Sequence, residues 1–142
     1  MKQPDTNVLL YAVNSAAPQH ATAISWLRDA FTSPAGVGLS WVGLLGFVRI
    51  ATHPRILQRP LAMRDALRTV NFWLDQPRVR ILHPTDQHSG LLGALLSGSG
   101  GAGNLVTDAH LATLAIEHGA TLASFDSDFE RFEGLQFERL RA

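Results

Sequence analysis

The chain has 142 residues, 46% hydrophobic and 17% charged, with no cysteine and a formal net charge of zero. That is enough apolar sequence for one folded domain, 1–142, and too much for a disordered chain. The absence of cysteine excludes disulfides, thiol catalysis and zinc–thiolate sites. No apolar run reaches transmembrane length and no basic-then-apolar leader opens the chain, so a cytoplasmic protein with no membrane association is expected.

A neutral balance excludes nucleic-acid binding by bulk charge. Any RNA contact must come from a local patch of the eleven arginines, must be weak, or must be absent; Lys2 is the single lysine. Arginine favours bidentate phosphate contacts, although coding bias explains its excess equally well.

In chain order, residues 2–4 are a very short strand that delivers Asp5 to its end, after which Thr6 turns into a helix. Pro4 has no N–H for a ladder, so the strand ends there or turns that position away from its partner. Gln19 to Phe31 is helical, with Ala23, Ile24, Leu27 and Phe31 on one face. Val37 to Ser40 is a strand, and Ser40 caps a helix from Trp41 to about Thr52. That helix is apolar nearly all round, which fits a core helix or a subunit interface. Arg49 lies near its end, and Pro54 stops it.

A helix from Leu61 to about Gln76 carries Ala62, Ala66, Val70 and Trp73 as a core stripe. Val79 to Leu82 alternates as a strand. A helix follows from Asp86 to about Leu96, with Leu91, Leu92, Leu95 and Leu96 expected to be buried. The Gly/Ser-rich stretch 97–103 is read as a loop bordering the functional edge; it lacks the Lys and Ser/Thr of a phosphate-binding loop.

Asp108 opens the next helix, Leu111, Leu114 and Ala115 recur at helical spacing, and Gly119 supplies a left-handed C-cap. Thr121 to Phe125 is a strand ending in Asp126-Ser-Asp128. Phe129 and Phe132 pack a short turn, Gly134 breaks it, and Gln136 to Leu140 is a final edge strand. His53, His83, His88 and His110 show no metal-ligand spacing and are read as structural or surface residues, with His110 pointing to the side of its helix.

Strands alternating with helices give a βαβ pattern: an α/β fold, a three-layer α/β/α sandwich on a five-stranded parallel sheet. Ligands in such sheets bind outside the carboxyl ends of the strands, where Asp5 and Asp126 lie. If their strands are neighbours, about 4.8 Å apart, Asp5, Asp108 and Asp126 converge. Clustered carboxylates repel unless a cation neutralises them, and an all-oxygen set suits Mg²⁺ or Mn²⁺. Taken alone, Asp5 reads first as an ordinary helix N-cap.

Asp5-Thr-Asn-Val-Leu-Leu-Tyr, Asn104-Leu-Val-Thr-Asp-Ala-His-Leu-Ala and Asp126-Ser-Asp-Phe-Glu-Arg-Phe-Glu-Gly-Leu together resemble a PIN-domain ribonuclease of the VapC toxin type, over essentially the whole chain. The resemblance implies strand order 3-2-1-4-5. It implies Asp5, Asp108 and Asp126 as metal ligands, directly or through water, and Asp128 as a second-tier ligand or orienting group. Asn7, Asn104 and Arg49 are the supporting residues. Asn7 is read either as steadying the site by hydrogen bonding or as a plain helix-start residue.

The same resemblance implies Mg²⁺- or Mn²⁺-dependent cleavage of single-stranded RNA leaving a 5′-phosphate. A VapB-like antitoxin that blocks the active edge, a homodimer and a toxin–antitoxin hetero-oligomer are implied as well. One position departs from the family. PIN domains usually carry a Glu on the helix ahead of the arginine matched by Arg49, and here that position is Gly46. No Asp or Glu occurs between Asp29 and Asp65.

Two rival readings follow. The first is a catalytically weak PIN-like module that grips antitoxin or RNA, motivated by Gly46. The second is a phosphotransfer protein with acids at strand ends, disfavoured because such sites use a late lysine and the only lysine is Lys2.

Overall fold

The computed structural model describes residues 1–100 and 103–142, with Asn104 as backbone only. Five strands, β1 (Lys2–Pro4), β2 (Val37–Leu39), β3 (Val79–Ile81), β4 (Thr121–Ser124) and β5 (Gln136–Arg139), form one sheet in the order β3-β2-β1-β4-β5. All four pairings are parallel. The expected order and sheet type are therefore observed. Parallel neighbours require crossovers, and six helices supply the first three: α1 (Thr6–Val13), α2 (His20–Thr32), α3 (Trp41–Ala51), α4 (Met63–Leu74), α5 (His88–Gly98) and α6 (Val106–His118), while a short 3-10 turn over Ser127–Arg131 joins β4 to β5.

β1 lies in the middle of the sheet, and its register against β4 pairs Pro4 with Ala123. The proline is accommodated by alternation. Lys2 donates its N–H to Gly36 on the β2 side, whereas Asp5 donates to Ala123 on the β4 side at 2.9 Å. The missing N–H of Pro4 therefore faces β2, where pairing has already stopped after Lys2–Val37.

The core has two parts. One gathers α1 to α4 on β1 and β2 around Val8, Leu9, Leu44, Phe47 and Trp73. The other packs α6 on β4 around Leu111, Ala112, Leu122, Phe129 and Phe132. Gly119 ends α6 at φ 64, the left-handed cap expected from the sequence.

Four expectations need correction. The leucines of α5 are half-buried, and no residue of that helix is buried. The reason is its position: it lies outside the sandwich and packs on α6, so one face stays open. Ala62 is the exposed N-cap of α4 and not part of its core stripe, which Ala66, Val70 and Trp73 form as expected. α3 is buried on one face through Gly43, Leu44, Phe47 and Ala51, and leaves Trp41 (48% exposed) and Leu45 (61%) on the other. Part of the predicted loop is helical, since Ser97 and Gly98 complete α5, and residues 101–102 lie outside the described residues. No described helix is long and apolar enough to cross a membrane.

Candidate metal centre

The carboxyl ends of β1 and β4 and the start of α6 meet at one edge. β1 ends in Asp5, which is 9% exposed. Its Oδ1 accepts from the Thr6 N–H at 2.7 Å and its Oδ2 accepts from the Ser124 hydroxyl at 2.8 Å. β4 ends in Ser124, and the chain then turns so that Asp126 Oδ1 accepts from the Asp128 N–H at 2.9 Å. α6 brings Asp108 in its first turn, where the helix dipole favours an anion.

Ligand oxygens of Asp108, Asp126 and Asp128 all lie within 4.8 Å of one another. In an octahedral Mg²⁺ site adjacent ligands are about 2.9 Å apart and opposed ones about 4.2 Å, so these side chains would close in on a cation or reach it partly through water. The donor set is all oxygen, which fits a hard cation.

The electrostatics point the same way. The Asp108 carboxyl is pushed up to about 6, first by burial and then by the negative charges of Asp5, Asp126 and Asp128, with Arg131 opposing. Burial also raises Asp5 above its ordinary range. The hydrogen bonds from Ser124 and Thr6 resist that shift, and Asp126 adds to it. Charge crowding of this kind on Asp108 and Asp5 is relieved by a bound cation.

Ser124, fully buried, organises the edge. Its hydroxyl oxygen accepts from Asn7 Nδ2 at 2.9 Å and from the Asp126 N–H at 3.0 Å. Both partners can only donate, so the single hydroxyl hydrogen is left for Asp5. Asn7 completes the link by accepting from the Phe125 N–H at 3.3 Å. Asn7 thus bonds both Ser124 and the backbone of Phe125.

Residues 3–135 match the model of the PIN domain family. The chain belongs to the PIN-domain family. Within it the chain is of the VapC type. It is 45% identical over 139 residues to Ribonuclease VapC37 of Mycobacterium tuberculosis, covering 98% of this chain and 96% of that protein. It is 42% identical over 134 residues to Ribonuclease VapC33 of the same organism, covering 94% of each. The fold resembles a chain of the Rickettsia felis VapBC2 structure bound to a promoter DNA fragment, with a TM-score of 0.68 at 20% identity and 97% coverage of both chains.

Against this PIN-domain background Gly46 stands close to Thr6. A Cβ built there would lie 3.0 Å from Thr6 Oγ1 and 3.3 Å from its Cγ2. Thr6 Oγ1 in turn donates to the Gly43 carbonyl at 3.1 Å. The start of α1 is thus seated directly on α3, and the space beside position 46 is filled by Thr6.

The sequence-predicted residues divide into three groups. Asp108, Asp126 and Asp128 are brought together, with Asp5 and Asn7 bonded into the same edge. Arg49 stands exposed in the last turn of α3 and forms no ion pair among the described residues. The Asn104 side chain lies outside the described residues. Two participants were missed. Arg131 Nη2 lies 3.3 Å from Asp128 Oδ1; its place three residues after Asp128 on a short turn is the signal that marks it. Ser124 was read only as part of a strand, and its place two residues before Asp126 is the only trace it leaves in the sequence.

Proposed function

We propose that this PIN-domain chain is a metal-dependent endoribonuclease, the toxin of a VapBC-type pair. The observation that carries the reading is the convergence of Asp108, Asp126 and Asp128 beside the hydrogen-bonded Asp5. These four carboxylates are the groups that would hold Mg²⁺ or Mn²⁺. Bound there, such an ion lowers the pKa of a water and offsets charge on a scissile phosphate. The protein's own part is to hold the acids at one edge. Ser124 and Asn7 fix Asp5 and the end of β4, and the Asp126 cap sets Asp128. Arg131 provides the cationic side chain at this edge, suited to a phosphate oxygen.

The two mycobacterial relatives are named as ribonucleases, which supports RNA as the substrate. VapBC2 supports an antitoxin partner for the VapC-type fold, hence a toxin–antitoxin hetero-oligomer in the cytoplasm. The exposed Trp41, Val42 and Leu45 of α3 form an apolar face fitting a homodimer contact.

Cleavage of total cellular RNA by antitoxin-free protein tests the reading, with Mg²⁺, with Mn²⁺ and with EDTA, beside Asp108→Asn. Discrete fragments that need metal and vanish in the variant are expected. No cleavage with either metal would favour the second reading, a PIN-like binding module, for which Gly46 in place of the usual Glu is the specific observation.

A further inference from the structure

A second cluster of titratable side chains lies outside the carboxylate edge, where α5 meets α6. His88 is the first residue of α5; His110 and Glu117 lie on α6. The sequence spacing suggested no ligand pair among the histidines, yet the fold brings His88 Nε2 to 2.9 Å from His110 Nδ1. The rings meet at 67° with centroids 4.8 Å apart, so the nitrogens face each other edge-on and the rings do not stack.

Behind His88 stands a buried carboxylate. The Glu117 side chain is 1% exposed and that of His88 12%. Glu117 Oε1 accepts from His88 Nδ1, while Oε2 accepts from the Thr85 N–H at 2.8 Å and from the Thr85 hydroxyl. Burial pushes the Glu117 carboxyl up, but the bonds from His88 and Thr85 outweigh it, leaving it below its ordinary range and ionised at neutral pH.

This arrangement fixes a tautomer. An ionised Glu117 holds the hydrogen of His88 on Nδ1, which leaves the Nε2 lone pair aimed at His110. A histidine that binds a metal commonly donates its other ring N–H to a carboxylate in this way. Between His88 Nε2 and His110 Nδ1 there is room for one electrophile. Without metal it is the Nδ1 proton of His110. With metal, that proton moves through solvent to His110 Nε2, and both lone pairs face the ion.

We propose that His88 Nε2 and His110 Nδ1 form a second cation site, for a transition ion such as Zn²⁺, with Glu117 as the carboxylate that orients His88. Imidazole suits zinc-like ions and not Mg²⁺, so this site and the carboxylate edge select different metals. At Zn–N distances of about 2.05 Å and a tetrahedral angle, the two nitrogens stand about 3.3 Å apart. The nitrogens therefore part by a few tenths of an ångström, and each ring turns by about 35° so that its lone pair points to an ion lying off the line between them. Water fills the remaining positions, and the ion joins the outer helix α5, which has no buried residue of its own, to α6.

The test is calorimetric titration of the full chain with Zn²⁺, with Mg²⁺ in excess to occupy the carboxylates. One Zn²⁺ per chain is expected, retained in Asp126→Asn, lost in His110→Gln, and weakened about 10- to 100-fold in Glu117→Gln. Nitrogen NMR of the imidazoles in the unsubstituted protein gives a second readout that needs no variant. Zinc is expected to shift His88 Nε2 and His110 Nδ1 together. Absence of Zn²⁺ binding, binding unchanged in a folded His110→Gln, or zinc that leaves those two nitrogens unshifted would each overturn the proposal.

Discussion

Replacing Asp108 by asparagine should stabilise the metal-free protein at neutral pH. The carboxyl is raised from 3.8 to about 6 in the folded chain, so the folded state binds its proton more tightly than the unfolded state does. Stability from this group is fullest below about pH 4 and is lost as pH rises to about 6 and beyond. A rise of about 2 units corresponds to about 3 kcal/mol at neutral pH before screening. Asp108 is only half-buried, so water screens much of this, and about 1–2 kcal/mol is the expected size. For a chain of this length, that raises the melting temperature by about 3–6 °C. The assay is thermal unfolding in EDTA across the range from about pH 4 to pH 8, with both proteins side by side. The unsubstituted chain should lose stability more steeply than the variant through this window, and Mg²⁺ should restore it. If Asp108→Asn melts lower at pH 7 with the same pH slope as the parent, the carboxylates do not repel one another as described.

Other expectations concern the groups around that cluster. Ser124→Ala removes the acceptor of Asn7 and Asp126 and the donor to Asp5, all at a buried position; it should cost about 2 kcal/mol, read by chemical denaturation, and weaken Mg²⁺ binding by calorimetry. Gly46→Ala should destabilise the chain by about 1 kcal/mol, because crowding against Thr6 exceeds the gain in helix propensity. Thr6→Ala in the same chain should recover most of that loss, so a double-mutant cycle with no coupling would refute the close packing of α1 on α3. Arg131→Gln removes the positive charge that lowers Asp108. Its titration, followed by carboxyl NMR, should move further upward, and an unchanged curve would show that Arg131 does not act on the cluster.

Much of this protein is determined along the chain itself. The alternation of short apolar strands with helices dictates a parallel sheet, because parallel neighbours need a helical crossover. Local chemistry set several boundaries: Ser40 caps α3, accepting from the Gly43 N–H at 3.0 Å, and Gly119 closes α6. The acids at the ends of β1 and β4 were legible because a strand end carries whatever follows it to the sheet edge. Contacts between segments distant in sequence are decided only by tertiary structure. Nothing local to Ser124 reveals that its hydroxyl serves Asp5, 119 residues away, or that Asn7 reaches the end of β4. Periodicity marked the leucines of α5 as apolar without telling that the helix lies on the outside, packed chiefly on α6. His88 and His110 lack ligand spacing because they approach from two helices, and only the packing of α5 on α6 gives them a shared axis. Gly46 is a missing acid in the sequence, and only the tertiary structure adds that Thr6 packs against it, since what lies beside a position depends on what another helix has put there.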